Sequence, residues 1–79
     1  MLQEAWGKKW ILLRGDVIVQ SGMTVDTTDG EAWVVQAGIG APPHKPSSTG
    51  KIWVEHEGVG SREFFPQVFD CRWVEVAEV

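Results

Sequence analysis

The stretch from Lys51 to Val76, KIWVEHEGVGSREFFPQVFDCRWVEV, decides how this chain folds. Two strand-like runs, Lys51–Glu57 and Arg62–Phe65, flank the turn Gly58-Val59-Gly60-Ser61. Pro66 opens a short segment that ends at Cys71; a proline starting a helical turn gives up no hydrogen bond, because its N–H would be unpaired there. Arg72–Val76 is a last strand-like run. Strand, tight turn, strand, one helical turn and strand is the order in which a small β-barrel closes.

Upstream, turn chemistry sets the parsing. Gly15-Asp16 precedes the β-branched run Val17-Ile18-Val19-Gln20, which Ser21-Gly22 ends. Met23–Thr28 alternates, with Met23, Val25 and Thr27 on one face. Asp29-Gly30 predicts a type I′ hairpin turn, which needs positive φ at both central residues. The returning arm Glu31–Ala37 is apolar on both faces, so it is expected to be a central strand covered on both sides. Gly38–Gly50 reads as a long surface loop, although Pro43-x-x-Pro46 also fits the polyproline ligand spacing. Met1–Lys9 is expected to be an irregular or one-turn lead-in packing Trp6 against the barrel, since Gly7 weakens a helix that would align Trp6 with Trp10. The expected fold is all-β: one domain over residues 1–79, a five-stranded SH3-like barrel with a short 3₁₀ turn before the last strand.

Composition limits the function. A chain of 79 residues makes one small domain with a marginal core, which five Trp and three Phe help to fill. One Cys and two His leave no disulfide pair and too few ligands for structural zinc, so no metal is expected. The lone Cys71 suits a reducing cytoplasm, and a buried structural thiol is its default role, with Arg72 beside it lowering its pKa. Seven basic against eleven acidic residues give a net charge of −4, and the basic residues beyond Lys9 are scattered among acids. Nucleic acid needs a basic footprint, so it is not an expected partner. Trp10-Ile11-Leu12-Leu13, stopped by the charged turn Arg14-Gly15-Asp16, is far short of the ~20 apolar residues that span a membrane.

Period-2 reading of Lys51–Glu57 puts Ile52, Val54 and His56 on one face and Trp53, Glu55 and Glu57 on the other. With the aliphatic face inward, Trp53 points outward among carboxylates. The same reading at the C-terminal run sets Val74 and Val76 inward and Trp73 outward with Glu75. Phe64 and Phe65 are consecutive, so one of them faces out as well. The expected working surface is an aromatic-acidic patch around Trp53, Phe65 and Trp73, large enough to predict self-association.

Gly15-Asp16 with Ser21-Gly22, the strand Val54-Glu55-His56-Glu57 and the segment Gly60–Pro66 make a recognisable set. In them the chain resembles small SH3-like barrel proteins of bacteria and their mobile gene cassettes, distantly the type II dihydrofolate reductases, a family with a similar Gly-Asp…Ser-Gly opening and a Val-Glu-x-Glu strand. Gly60-Ser61-Arg62-Glu63-Phe64-Phe65-Pro66 overlies its Gly-Ser-Val-Gln-Ile-Tyr-Pro segment. In that family four chains ring one pore that holds NADPH and folate, lined by the Ser, Gln, Ile and Tyr of that segment and a Lys from the first strand. Here Ser61 is retained, while Glu63, Phe64 and Phe65 replace Gln, Ile and Tyr, and Val19 or Gln20 falls where the lysine stands. A carboxylate in place of the amide, together with loss of the lysine, opposes a phosphate-bearing cofactor. The resemblance therefore implies a shared fold more than a shared reaction.

Nothing else in the sequence carries catalysis. Ser47, Ser48, His44 and Asp70 lack any nucleophile elbow, and Glu55, Glu57 and Glu63 read as a solvated edge. The sequence predicts a non-enzymatic binding or accessory module for a protein or peptide, with no catalytic residues and no cofactor. Its candidate binding or interface residues are Trp53, Ser61, Glu63, Phe64, Phe65 and Trp73. A reductase-like enzyme with an altered pore, using NADPH, is the alternative.

Overall fold

Met1–Lys9 is not an irregular lead-in. In the computed structural model, which describes residues 1–40 and 49–76, Leu2–Ala5 (β1) and Lys8–Arg14 (β2) form an antiparallel hairpin with Leu2 opposite Ile11 and Ala5 opposite Lys8. Its two loop residues, Trp6 and Gly7, both have positive φ, 53° and 73°, as a type I′ turn requires. Gly7 builds this turn where the sequence reading had it weakening a helix. Holding Trp6 in the left-handed region costs about 1–2 kcal/mol. An edge-to-face contact with Trp10, centroids 6.4 Å apart, returns a comparable amount, and the Trp10 indole N–H donates to the Ala5 carbonyl at 3.3 Å.

Val17–Ile18 (β3) continues along the same edge of β2, with Ile18 opposite Leu13, and the Val19 N–H donates to the Leu12 carbonyl at 2.9 Å. Cys71–Val76 (β8) pairs with the other edge of β2, setting Trp73 opposite Leu12 and Cys71 opposite Arg14. These four strands make the first sheet.

The second sheet runs in the order Thr24–Thr27 (β4), Gly30–Ile39 (β5), Gly50–His56 (β6) and Gly60–Phe64 (β7), every pair antiparallel. The β4–β5 hairpin falls where the sequence places it, with different turn chemistry. Gly30 alone has positive φ, 109°, and the Thr27 hydroxyl caps the loop by accepting the Asp29 N–H at 3.1 Å and donating to the Gly30 carbonyl at 3.0 Å. β5 is central, as expected, but only one of its faces is buried. A register shift between Val34 and Gln36 inserts Val35 as a bulge. Ala32 and Val34 thereby face the core together with the partly buried Ala37 and Ile39, while Trp33, Val35 and Gln36 are left on the outside.

After β7, Pro66–Phe69 forms the predicted 3₁₀ turn, closed by Asp70 in the left-handed region. The class is all-β, as expected, but its eight described strands lie in two four-stranded sheets, and no strand pairing among the described residues joins them into a closed barrel. The unforeseen β1, laid along the edge of β2 that also takes β3, accounts for part of the difference. Pro43-x-x-Pro46, His44, Ser47 and Ser48 lie outside the described residues.

One core lies between the sheets: Leu12, Val19, Cys71 and Trp73 from the first, Val25, Ala32, Val34, Ile52 and Val54 from the second, and Phe69 from the 3₁₀ turn. Trp73 overturns its expected orientation. It is 1% exposed, whereas Val74 is half-buried and Val76 exposed. Its register with Leu12, itself fully buried, turns the indole inward, where one wide ring fills space that a valine would leave empty.

Burial pushes the Cys71 thiol above its ordinary pKa; Arg14, its cross-strand partner, opposes that rise and Asp70 adds to it. The sequence reading had given the moderating role to Arg72. A thiol whose pKa is raised by folding favours the native state below the unfolded thiol's pKa of about 8.5, and that contribution is lost as pH climbs beyond it. The urea midpoint should therefore fall between pH 8 and pH 10 by more in the parent chain than in Cys71→Ala, and iodoacetamide should label Cys71 only after unfolding. Trp73→Ala should cost about 3–5 kcal/mol. That is a large part of the roughly 4–12 kcal/mol available to a domain of this size, while Val17→Ala on an exposed strand should cost under about 0.5 kcal/mol; urea denaturation followed by circular dichroism measures both.

Candidate functional site

The outer face of the second sheet carries aromatic and charged side chains together. Trp33 lies opposite Glu55, Gln36 opposite Trp53, and Trp53 opposite Glu63. Cross-strand partners share a face, so Trp33 and Trp53 stand on one surface with Glu55 and Glu63 between and beside them. Trp53 does point outward among carboxylates, as expected from alternation. It is half-buried because its indole lies over Gly38 of the neighbouring strand, 3.4 Å from where a Cβ would stand.

Phe65 extends this surface past the end of β7 and is 55% exposed. The Lys51 ammonium sits 4.4 Å from its ring centroid and 3.6 Å from a Glu63 carboxylate oxygen, so one cation ties the aromatic ring to the acidic strand. Ser61, also exposed, lies opposite Glu55 on the same face. Phe64 turns the other way, opposite Ile52, and meets Phe69 edge-to-face at 5.2 Å. Of the six sequence-predicted residues, Trp53, Ser61, Glu63 and Phe65 are thus brought together, Phe64 packs against the core, and Trp73 lies within it.

Trp33 was missed. The sequence reading covered both faces of its strand, and only the bulge at Val35 shows which face is bare. The signal lay in the phase of the pattern: Ala32 and Val34 cannot share a face with Ala37 and Ile39 unless one residue is inserted between them.

His56 is the one buried polar side chain among the described residues. Its Nε2 meets the Thr27 hydroxyl. That hydroxyl's single proton goes to the Gly30 carbonyl, so the network assigns the imidazole proton to Nε2. Nδ1 is left buried without a partner among the described residues. Asp29 on the same hairpin pairs with Arg62 at 3.5 Å. These contacts hold the β4–β5 turn against β6 and β7, and the Thr27 hydroxyl that meets the imidazole is engaged as a cap of that turn.

No group of three or more His, Cys, Asp or Glu among the described residues is placed to hold a metal ion, and none of their helices is long and apolar enough to cross a membrane. An open cleft of about 310 Å³ lies beside Trp6-Gly7 on the other sheet, lined by residues of one hairpin, where Lys8 already pairs with Glu75 at 3.6 Å. No protein-family model, curated protein or solved structure matches the chain.

Because the Lys51 contacts with Glu63 and Phe65 are both largely exposed, Lys51→Ala should cost less than about 1 kcal/mol of stability. A urea titration should show that small shift, while the Phe65 ring resonances move towards free-rotor values. A loss above about 2 kcal/mol would mean that Lys51 holds the sheet rather than the surface ring.

Proposed function

We propose that this chain is a non-enzymatic binding module that recognises a protein or peptide segment through the outer face of β5, β6 and β7. The observation that carries this reading is the convergence of Trp33, Trp53 and Phe65 on one solvent-facing sheet surface edged by Glu55 and Glu63. Aromatic rings give large contact area at low entropic cost and are enriched at interfaces. Their carboxylate neighbours favour a segment that combines apolar residues with Lys or Arg. The succession β5-β6-β7, 3₁₀ turn, then β8 returning to β2, supports an SH3-like plan for the scaffold.

The reductase alternative is weakened by strand alternation. Its pore lining draws on Ser61, Glu63, Phe64 and Phe65 together, and Phe64 faces away from the other three. The proposed module uses no NADPH or other cofactor. Self-association remains part of the reading, but with Trp73 in the core the aromatic patch is not its natural seat.

Selection from a random displayed-peptide library should enrich sequences pairing apolar with basic residues, and Trp53→Ala should weaken the selected peptides at least tenfold, equivalent to about 1.4 kcal/mol. Peptides that bind Trp53→Ala and Phe65→Ala as tightly as the parent would place the site elsewhere. Dihydrofolate-dependent NADPH oxidation should stay at background; turnover abolished by Ser61→Ala would favour the enzyme.

A further inference from the structure

The outer face of the first sheet is of a different kind. Its register sets three rows across the strands: Glu4, Lys9 and Val76; Leu2, Ile11 and Val74; Ile18, Leu13 and Arg72. Their alternates Leu12 and Trp73 fill the core, so these nine residues project away from it. Leu2 is 64% exposed, Ile18 43% and Val76 37%, and Ile11, Leu13 and Val74 are half-buried. A contiguous aliphatic block of this kind on a small domain marks an interaction surface.

The charges on the block say what fits it. Glu4 and Arg72 occupy diagonally opposite corners. Strand spacing of about 4.8 Å and two-residue steps of about 6.8 Å separate them by roughly 17 Å, beyond the Debye length of ~8 Å at physiological salt. Within one chain they do not compensate each other; Glu4 has Lys9 opposite it on β2, while Arg72 stands beside only Leu13 and Val74 on this face. Across a two-fold axis lying in the interface along the other diagonal, each Glu4 falls about 6 Å in plan from the Arg72 of the second copy, within reach of two long side chains.

The same operation brings Leu2 to Leu13 and Lys9 to Val74, and leaves Ile11, Ile18 and Val76 near the axis facing their own equivalents. The one like-charge approach is Lys9 to its own equivalent, about 8 Å apart in plan at the rim, where solvent screens it. The strands of the two copies cross at about 70° in this arrangement, close to the orthogonal mode of sheet packing. We propose that this face binds a second copy of the chain through that two-fold contact.

Area sets the strength. Three strands about 20 Å long cover roughly 300 Å² in plan per copy, below the ~800 Å² per partner of a standard interface. The dimer is therefore a weak, reversible one, with a dissociation constant between about 1 µM and 1 mM. This interface leaves the aromatic face of each copy free on the outside of the pair.

Sedimentation velocity from about 10 µM to about 1 mM tests this directly. The parent chain should shift from monomer to dimer across the range, and Ile18→Lys, which sets two ammonium groups against each other near the axis, should stay monomeric with unchanged circular dichroism. Glu4→Arg and Arg72→Glu should each weaken self-association about tenfold, because two rim pairs turn from attraction to repulsion. An equimolar mixture of those two variants should recover the parent affinity, since both pairs are then restored with reversed sign in one of them. A folding defect has no such remedy. A parent chain that stays monomeric throughout, a mixture that fails to recover, or a dimer that survives Ile18→Lys but is lost in Trp53→Ala would overturn the proposal.

Discussion

The pairing of β8 with β2 is the contact on which the rest of the molecule depends. It joins the last described strand to one near the start of the chain and sets Trp73 against Leu12 at the centre of the first sheet. Burying an indole removes about 150–250 Å² from water, worth roughly 4–6 kcal/mol at ~25 cal/mol per Å². Its Nε1–H has no partner among the described residues, and an unsatisfied buried donor costs about 1–3 kcal/mol. The apolar gain exceeds that cost, so Trp73 sits inside with its N–H unpaired. Once it does, Leu13, Ile11 and Val74 can only face outward.

The C-terminal half was legible because its signals are local. The turn at Gly58, the proline at the head of the 3₁₀ turn and the inward Ile52-Val54-His56 face all follow from spacing alone, and each stands where that spacing puts it. What failed was phase. Trp73 and Val74 are both apolar, so alternation leaves either one free to face the core, and only the partner strand decides. The N-terminal hairpin was hidden by a turn residue, Trp6, that rarely adopts positive φ. Glycine at the second turn position was its only cue. The aromatic site was half legible for the same reason: Trp53 and Phe65 follow from their neighbours, whereas the bare face that carries Trp33 is marked only by the phase break between Ala32-Val34 and Ala37-Ile39.

The bulge at Val35 also links core and surface. Without it, β5 would carry Ala32 and Val34 inward and then turn Ala37 and Ile39 outward, halving the apolar contribution of the central strand. With it, the strand keeps four residues towards the core and adds Val35 and Gln36 to the exposed side beside Trp33 and Trp53. The same insertion that completes the interior therefore widens the face proposed for binding.

Two layers, each a single sheet deep, leave two outer faces, and alternation obliges every strand to contribute to one of them. Their chemistries diverge. On the second sheet, rings, carboxylates and one lysine offer directional contacts suited to a partner of different sequence. On the first, aliphatic side chains offer none, and the polarity is confined to the rim, with Glu4 and Arg72 at opposite corners and Lys9 beside Glu4. A surface with that pattern is poorly matched to an arbitrary partner, which must supply its own complementary corners. An identical copy supplies them by symmetry, and in the proposed dimer the two faces proposed for binding point away from each other, so that a weak contact at each is reinforced by the second wherever ligands are clustered.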